Sequence, residues 1–326
     1  MRGWFSRRAA VQTNRLKRCD RCSYPLERRD RLSTAETIRC FLHLVNILEK
    51  YSRILTLYSI FCILAFELST LSKMASKLAI FNMKGGVGKS TTTYNLAVGL
   101  VKFHQKRVLI IDIDSQGNSG AALGIEIWQL QKQLKDVLQR HAKLTEIIVE
   151  TDSGVDVAPS NILLAEEEIP ISGLPGRELL LRKAIATVET QYDFILIDCP
   201  PNIGVFTINA LMAADGVIIP VDMSYLGLLG INGIERALSL IRDSLDHPIQ
   251  IAGALATRYD GRNNLSKEVQ QSLHDHFGDR MFKAVIPETV KLREAPSHGQ
   301  SIFDYDANGT GAKAYRVLVD EVMKWQ

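Results

Sequence analysis

The segment FNMKGGVGKSTTTYN, Phe81 to Asn95, gathers two lysines, three glycines and a run of hydroxyls. Glycines at 85, 86 and 88 let the backbone turn successive N–H groups onto one anion. A helix opening at the same point adds partial positive charge. Gly85, Gly86, Val87 and Gly88 would form the cradle of a phosphate-binding loop. Lys89 would reach the β- and γ-phosphates, the Ser90 hydroxyl would ligate Mg²⁺, and Thr91 would sit against the α-phosphate. The strict pattern GxxxxGK[ST] is not met, because Met83 stands at the first glycine position.

One lysine suffices for such a loop, so Lys84 needs a separate account. It comes too early to follow the phosphates along the helix. A second ammonium beside a paired triphosphate meets repulsion unless it finds charge not yet neutralised. Lys84 is therefore expected to reach the phosphates of a neighbouring molecule, as an arginine finger does in trans, and to stabilise charge on the transferred group. Carboxylates accompany the loop. RVLIIDIDSQGN carries Asp112 and Asp114 at i and i+2, so both leave the strand on one face, and Asp198 ends FILID.

These side chains need a scaffold that brings loop and carboxylates together. Apolar, β-rich runs recur at 77–82, 107–114, 155–159, 193–200, 216–222 and 249–257. Their continuity marks strands buried on both faces, and so a parallel sheet. Helical patterns fit 90–103, 128–140, 177–189, 206–213, 230–244 and 265–277, with Gly or Pro punctuation nearby. The alternation predicts an α/β fold, a doubly wound, mostly parallel sheet with helices on both faces and ligands at the carboxyl ends of the strands.

The 326 residues are 46% hydrophobic and 23% charged, with a formal net charge of +3. That balance allows a substantial core and requires any nucleic-acid site to be local. Cys19 and Cys22 form a lone CxxC, weak as a zinc site. Cys199 reads as a small buried residue, since no base is near it in sequence. Residues 1–73 differ from the rest. They are arginine-rich, then pass through ILTLYSIFCILAF, 54–66, whose 13 residues fall short of the roughly 20 that span a bilayer. The expected organisation is a basic and apolar extension over 1–73, dispensable or an upstream mis-start before Met74, and a catalytic domain over 74–326.

KGGVGKST with its extra lysine resembles the deviant Walker A motif of the ParA/MinD ATPases. The resemblance runs from about Met74 to the carboxyl end. It includes IDIDSQGN (111–118), ILIDCPP (195–201), TRYDGRNNLS (257–266), VIPETVKLREAPSHG (285–299) and GAKAYRVLVDEV, blocks similar to those of the ParA/Soj partitioning branch. It implies a P-loop NTPase fold, ATP and Mg²⁺ as ligands, and slow, partner-stimulated hydrolysis to ADP and phosphate. It also implies an ATP-bound sandwich homodimer in which Lys84 crosses to the partner's nucleotide. Asp114 would orient or activate the attacking water; Asp112 and Asp198 would belong to the Mg²⁺ shell. Pro287 would begin a loop flanking the adenine. Non-specific DNA would be held by Arg262 and Lys291, with Arg258 and Arg293 beside them, and a ParB-like or other cargo-linked protein would stimulate turnover. Relatives commonly read IPRNVRL where this chain reads IPETVKL, so Glu288 puts DNA affinity in question; they usually have proline at Ser115. The expected role is positioning of a chromosome, plasmid or protein assembly from the cytoplasm and nucleoid. The alternative is a MinD-like ATPase at the membrane, disfavoured because AYRVLVDEVMKWQ carries Asp320 and Glu321 rather than a basic face. An iron–sulfur carrier would need more cysteines than Cys199 in the core.

Overall fold

The computed structural model describes residues 74–325, with Arg39 and His43 as isolated positions. The expectations placed on residues 1–73, including Cys19, Cys22 and the run 54–66, lie outside the described residues. The chain divides after Leu71, and the sheet belongs to the second unit.

Eight strands build it: β1 Ser76–Ile80, β2 Val108–Asp112, β3 Val149–Glu150, β4 Asp156–Ala158, β5 Phe194–Asp198, β6 Gly216–Asp222, β7 Gln250–Tyr259 and β8 Met281–Pro287. Their order is β3-β4-β2-β5-β1-β6-β7-β8. Every pairing is parallel except β3 with β4. Five longer helices accompany them: α1 Lys89–His104, α2 Val205–Ala213, α3 Ile231–Ser244, α4 Asn264–Phe277 and α5 Thr310–Val322.

Alternate strand residues feed two separate cores, as a period of two requires. Leu78, Ile80, Ile110, Leu196 and Ile218 pack with Leu96 and Leu100 of α1 and Tyr315, Leu318 and Val319 of α5. Ala79, Ile111, Ile195, Ile197, Val217 and Ile219 pack on the other face with Leu211 of α2, Ile234 and Leu238 of α3, and Val269 and Leu273 of α4. The central strands β1, β2, β5 and β6 have nearly all their residues buried, which is why they read as unbroken apolar runs.

The expected helix over 128–140 is mostly loop, and only Leu134–Leu138 is helical. Trp128 stands out in solvent, and the Gln133 side chain donates to the Ile127 carbonyl at 2.7 Å, tying the segment into a turn. The expected helix over 177–189 is likewise cut to a 3-10 turn at Arg177–Leu179 and a helix at Leu180–Ile185. There the Thr187 hydroxyl donates to the Ala184 carbonyl at 2.7 Å and competes with the ladder.

Register places the chemistry. Ile80 and Asp112 both lie beside Asp198, Asp222 lies beside Thr257, and Tyr259 beside Pro287. The carboxyl ends of β1, β2, β5, β6, β7 and β8 therefore line one rim.

Candidate active site

The loop between β1 and α1 sits at the centre of that rim. Gly86 and Gly88 adopt left-handed φ values of 74° and 88°, the conformation glycine takes without steric cost. A Cβ at Gly88 would meet nothing within 4 Å, so the concave side of the loop is open. Two of its carbonyls are held from the end of β7 and a third by Lys89. Thr257 Oγ1 donates to Val87 O at 2.8 Å, Arg258 Nη1 to Gly86 O at 3.3 Å, and Lys89 Nζ to Lys84 O at 3.2 Å. With carbonyls so occupied, the N–H groups that follow face the opposite way, because a trans peptide sets the two antiparallel. α1 has no acidic residue in its first turn, leaving its positive end for a ligand. Lys89 is buried, and burial pushes its ammonium below the usual lysine range against the pull of Asp198 and Asp114.

The three carboxylates converge, each in its own role. Asp198 is fully buried. Its Oδ2 accepts from Ser119 Oγ at 2.6 Å, while Oδ1 has no partner among the described residues. Burial pushes its pKa up to about 6, partly countered by hydrogen bonds from Ser119 and Ser90. Asp112 is equally buried and is used up by backbone. Its Oδ2 accepts from Ser119 N at 2.9 Å and Gly120 N at 3.4 Å, and its Oδ1 from Asp114 N at 3.2 Å. Burial, then Asp198 and Asp114, raise its pKa well above the usual carboxylate range. Asp112 thus fixes the turn that presents Asp114. Asp114 follows the strand end rather than extending it: its Oδ1 accepts from Gln116 N at 3.0 Å and its carbonyl from Ser160 Oγ at 2.5 Å.

Lys84 does not touch its own loop's concave side. Its ammonium lies 2.7 Å from Asp222 Oδ2 and 3.1 Å from Ser224 Oγ, with the side chain one-third exposed. Asn82 sets this up, accepting from Lys84 N at 2.9 Å and donating to Pro220 O at 2.7 Å. Asp222 Oδ1 is buried and has no partner among the described residues.

These residues fit a magnesium nucleotide. The open left-handed cradle suits polyphosphate oxygens, and the orphaned Asp198 Oδ1 and the Ser90 hydroxyl suit an ion held largely through water and phosphate. Among the described residues no group of three His, Cys, Asp or Glu side chains could hold a metal alone.

A family profile described as an AAA domain matches residues 75–251. The chain is 42% identical over 250 residues to the sporulation initiation inhibitor protein Soj of Bacillus subtilis, covering 76% of this chain and 98% of that protein. It is 40% identical over 249 residues to the chromosome partitioning protein ParA of Caulobacter vibrioides, covering 76% and 93%. The chain belongs to the ParA/Soj family of ATPases. Among solved structures, cobyrinic acid a,c-diamide synthase from Mycobacterium smegmatis, with bound ADP and magnesium, superposes with a TM-score of 0.68 at 31% identity. That match covers 77% of this chain and 95% of that one.

As a ParA/Soj-family ATPase, the chain uses ATP and Mg²⁺ and carries the P-loop fold that its motifs led us to expect. Cys199 is buried, and burial holds its thiol well above the ordinary range, so it is no nucleophile. The residues read as DNA contacts divide. Arg262 and Lys291 are exposed near the adjoining ends of β7 and β8, each with a local carboxylate: Asp260 at 2.8 Å and Glu294 at 3.0 Å. Arg258 is placed differently. Its guanidinium donates to Glu288 and to the Gly86 carbonyl of the phosphate loop. Pro287 ends β8 opposite Tyr259. Sequence reading missed Ser119, Asp222, Ser224 and the supporting role of Thr257. Ser119 follows Asp112 by seven residues and was within reach of a local argument; Asp222 and Thr257 join the loop only through the fold.

Proposed function

We propose that the chain is an ATP-switched dimer that binds DNA without sequence preference and positions a cargo, released when a cargo-linked protein stimulates hydrolysis. The observation that carries this reading is Lys84. It stands at the loop mouth, one-third exposed, with its charge met by Asp222 rather than by its own nucleotide site. A lysine so placed is free to serve a second copy once nucleotide is bound. The homologous Soj and ParA proteins support the partitioning role. Arg262 and Lys291 supply the DNA face, and the nucleoid is the expected location.

A MinD-like membrane role is less well supported. The apolar side of α5, Tyr315, Leu318, Val319 and Val322, is spent in the core, so it has no apolar face to lay on lipid.

The test is Lys84→Ala. It should bind ATP as the wild type does but turn it over at least tenfold more slowly, even with DNA and a stimulating partner. Wild-type turnover, or a chain that stays monomeric with Mg²⁺ and a non-cleavable ATP analogue, would refute the reading.

A further inference from the structure

The end of β7 does more than close the sheet beside the phosphate loop. Thr257 is buried and donates to Val87 O at 2.8 Å. Arg258 lies in the left-handed region at φ 54°, a conformation that a residue with a Cβ adopts only at a steric cost. The conformation turns the side chain back over the loop, where Nη1 donates to Gly86 O at 3.3 Å and Nε to Glu288 Oε2 at 2.8 Å. Glu288 is itself fixed by its N–H, which donates to Tyr259 O at 3.0 Å, and its other oxygen lies 3.9 Å from Arg293.

We propose that Arg258 is a positioning residue for nucleotide binding, acting through the Gly86–Val87 peptide and oriented by Glu288. The argument rests on peptide geometry. Fixing the Gly86 carbonyl toward β7 fixes the Val87 N–H toward the open side, where the phosphates bind. Thr257 does the same for the Val87–Gly88 peptide. Gly86 has no Cβ to restrain the peptides on either side of it. The guanidinium also draws density from the carbonyl oxygen, which strengthens the Val87 N–H as a donor. Two donors on one planar fork are needed to hold Glu288 and Gly86 together, so lysine cannot replace arginine here. Glu288, which looked like a lost positive charge at the DNA edge, is the group that keeps Arg258 over the loop.

The test compares ADP, ATP and adenosine as ligands for the full chain. Arg258→Met keeps an unbranched apolar stem and removes both donors. It should weaken ADP and ATP by about three- to tenfold, the worth of one partly exposed charged hydrogen bond. Adenosine affinity should not change, because it lacks phosphates. KM should rise with kcat kept. Glu288→Gln should shift affinity less in the same direction, and Arg258→Lys should not restore it. Unchanged ADP affinity in Arg258→Met overturns the proposal. So does an equal loss of adenosine and ADP accompanied by a lower melting temperature, which marks a general structural role. Normal nucleotide binding with lost DNA retention also overturns it and returns Arg258 to the DNA face.

Discussion

Asp222 is the residue that decides how readily Lys84 can leave. In the free chain its Oδ2 holds the ammonium at 2.7 Å, and its Oδ1 is buried without a partner among the described residues. Moving Lys84 to another copy's nucleotide strands a carboxylate already short of hydrogen bonds. Asp222→Asn removes that charge and should shift dimerisation with Mg²⁺ and ATP to lower protein concentration. A partly exposed pair is worth about 0.2–1 kcal/mol, and two lysines would move per dimer, so a shift of about two- to thirtyfold is expected. Sedimentation at graded concentrations measures it, and an unchanged midpoint would show that the Asp222 contact does not restrain assembly. Asp198 offers a second measurement. Its pKa in the fold, about 6, lies above the ordinary carboxylate value of 3.8. The native state therefore binds more protons than the unfolded chain between those values. The group's favourable contribution is full below about 4 and is lost as pH rises to about 6. Without Mg²⁺, Asp198→Asn should melt above the wild type at pH 7, and the gap should close toward pH 4. Magnesium binds the ionised form, so wild-type affinity for it should fall as pH drops through about 6.

At the scale of elements, what could be read ahead was what depends on near neighbours in sequence. β6 occupies the expected 216–222 because every residue in it is buried, and α1 begins at Lys89 because the loop's glycines end there. β8 escaped notice because it is an edge strand. Its burial is incomplete and Lys283 faces solvent, which breaks the apolar run in the way edge strands commonly do. The nearness of loop, Ser90, Asp112 and Asp114 could be read for the same reason as α1, since each lies within a short segment, but the backbone N–H groups that occupy Asp112 could not. The Lys84–Asp222 pair spans 138 residues, and only the order β1-β6 makes them neighbours. Helix contacts were equally hidden. Gly99 of α1 faces α5 so closely that a Cβ would collide with Val319 Cγ2 and press on Phe303. Gly99→Ala gains up to about 1 kcal/mol of helix propensity but forces overpacking that costs about 1–3 kcal/mol. A lower melting temperature with unchanged ADP affinity is expected, since α5 bounds the core below the site; a higher one would mean that α5 yields.

For the molecule as a whole, the question is how one nucleotide rim governs a surface several residues beyond it. On the proposed reading, the ends of β7 and β8 carry both functions. Thr257 and Arg258 hold carbonyls of the loop, and Arg262 lies three residues past the end of β7 and Lys291 four past the end of β8. Closing two copies would set two such edges side by side and double the phosphate contacts available to one duplex. Each contact must displace a local carboxylate, Asp260 or Glu294, but such exposed pairs are weak and a DNA phosphate can replace them. DNA retention should therefore depend on ATP and fall steeply with salt, with a slope of about 0.9 per phosphate neutralised. Arg262→Ala and Lys291→Ala should each flatten that slope by about two in a dimer, one contact per copy, while leaving ATP affinity unchanged. Arg258→Met should leave the slope intact and move only the nucleotide concentration at which retention begins. If Arg262→Ala and Lys291→Ala left the slope as it was, DNA would be held elsewhere on the dimer, and the adjoining ends of β7 and β8 would serve the nucleotide alone.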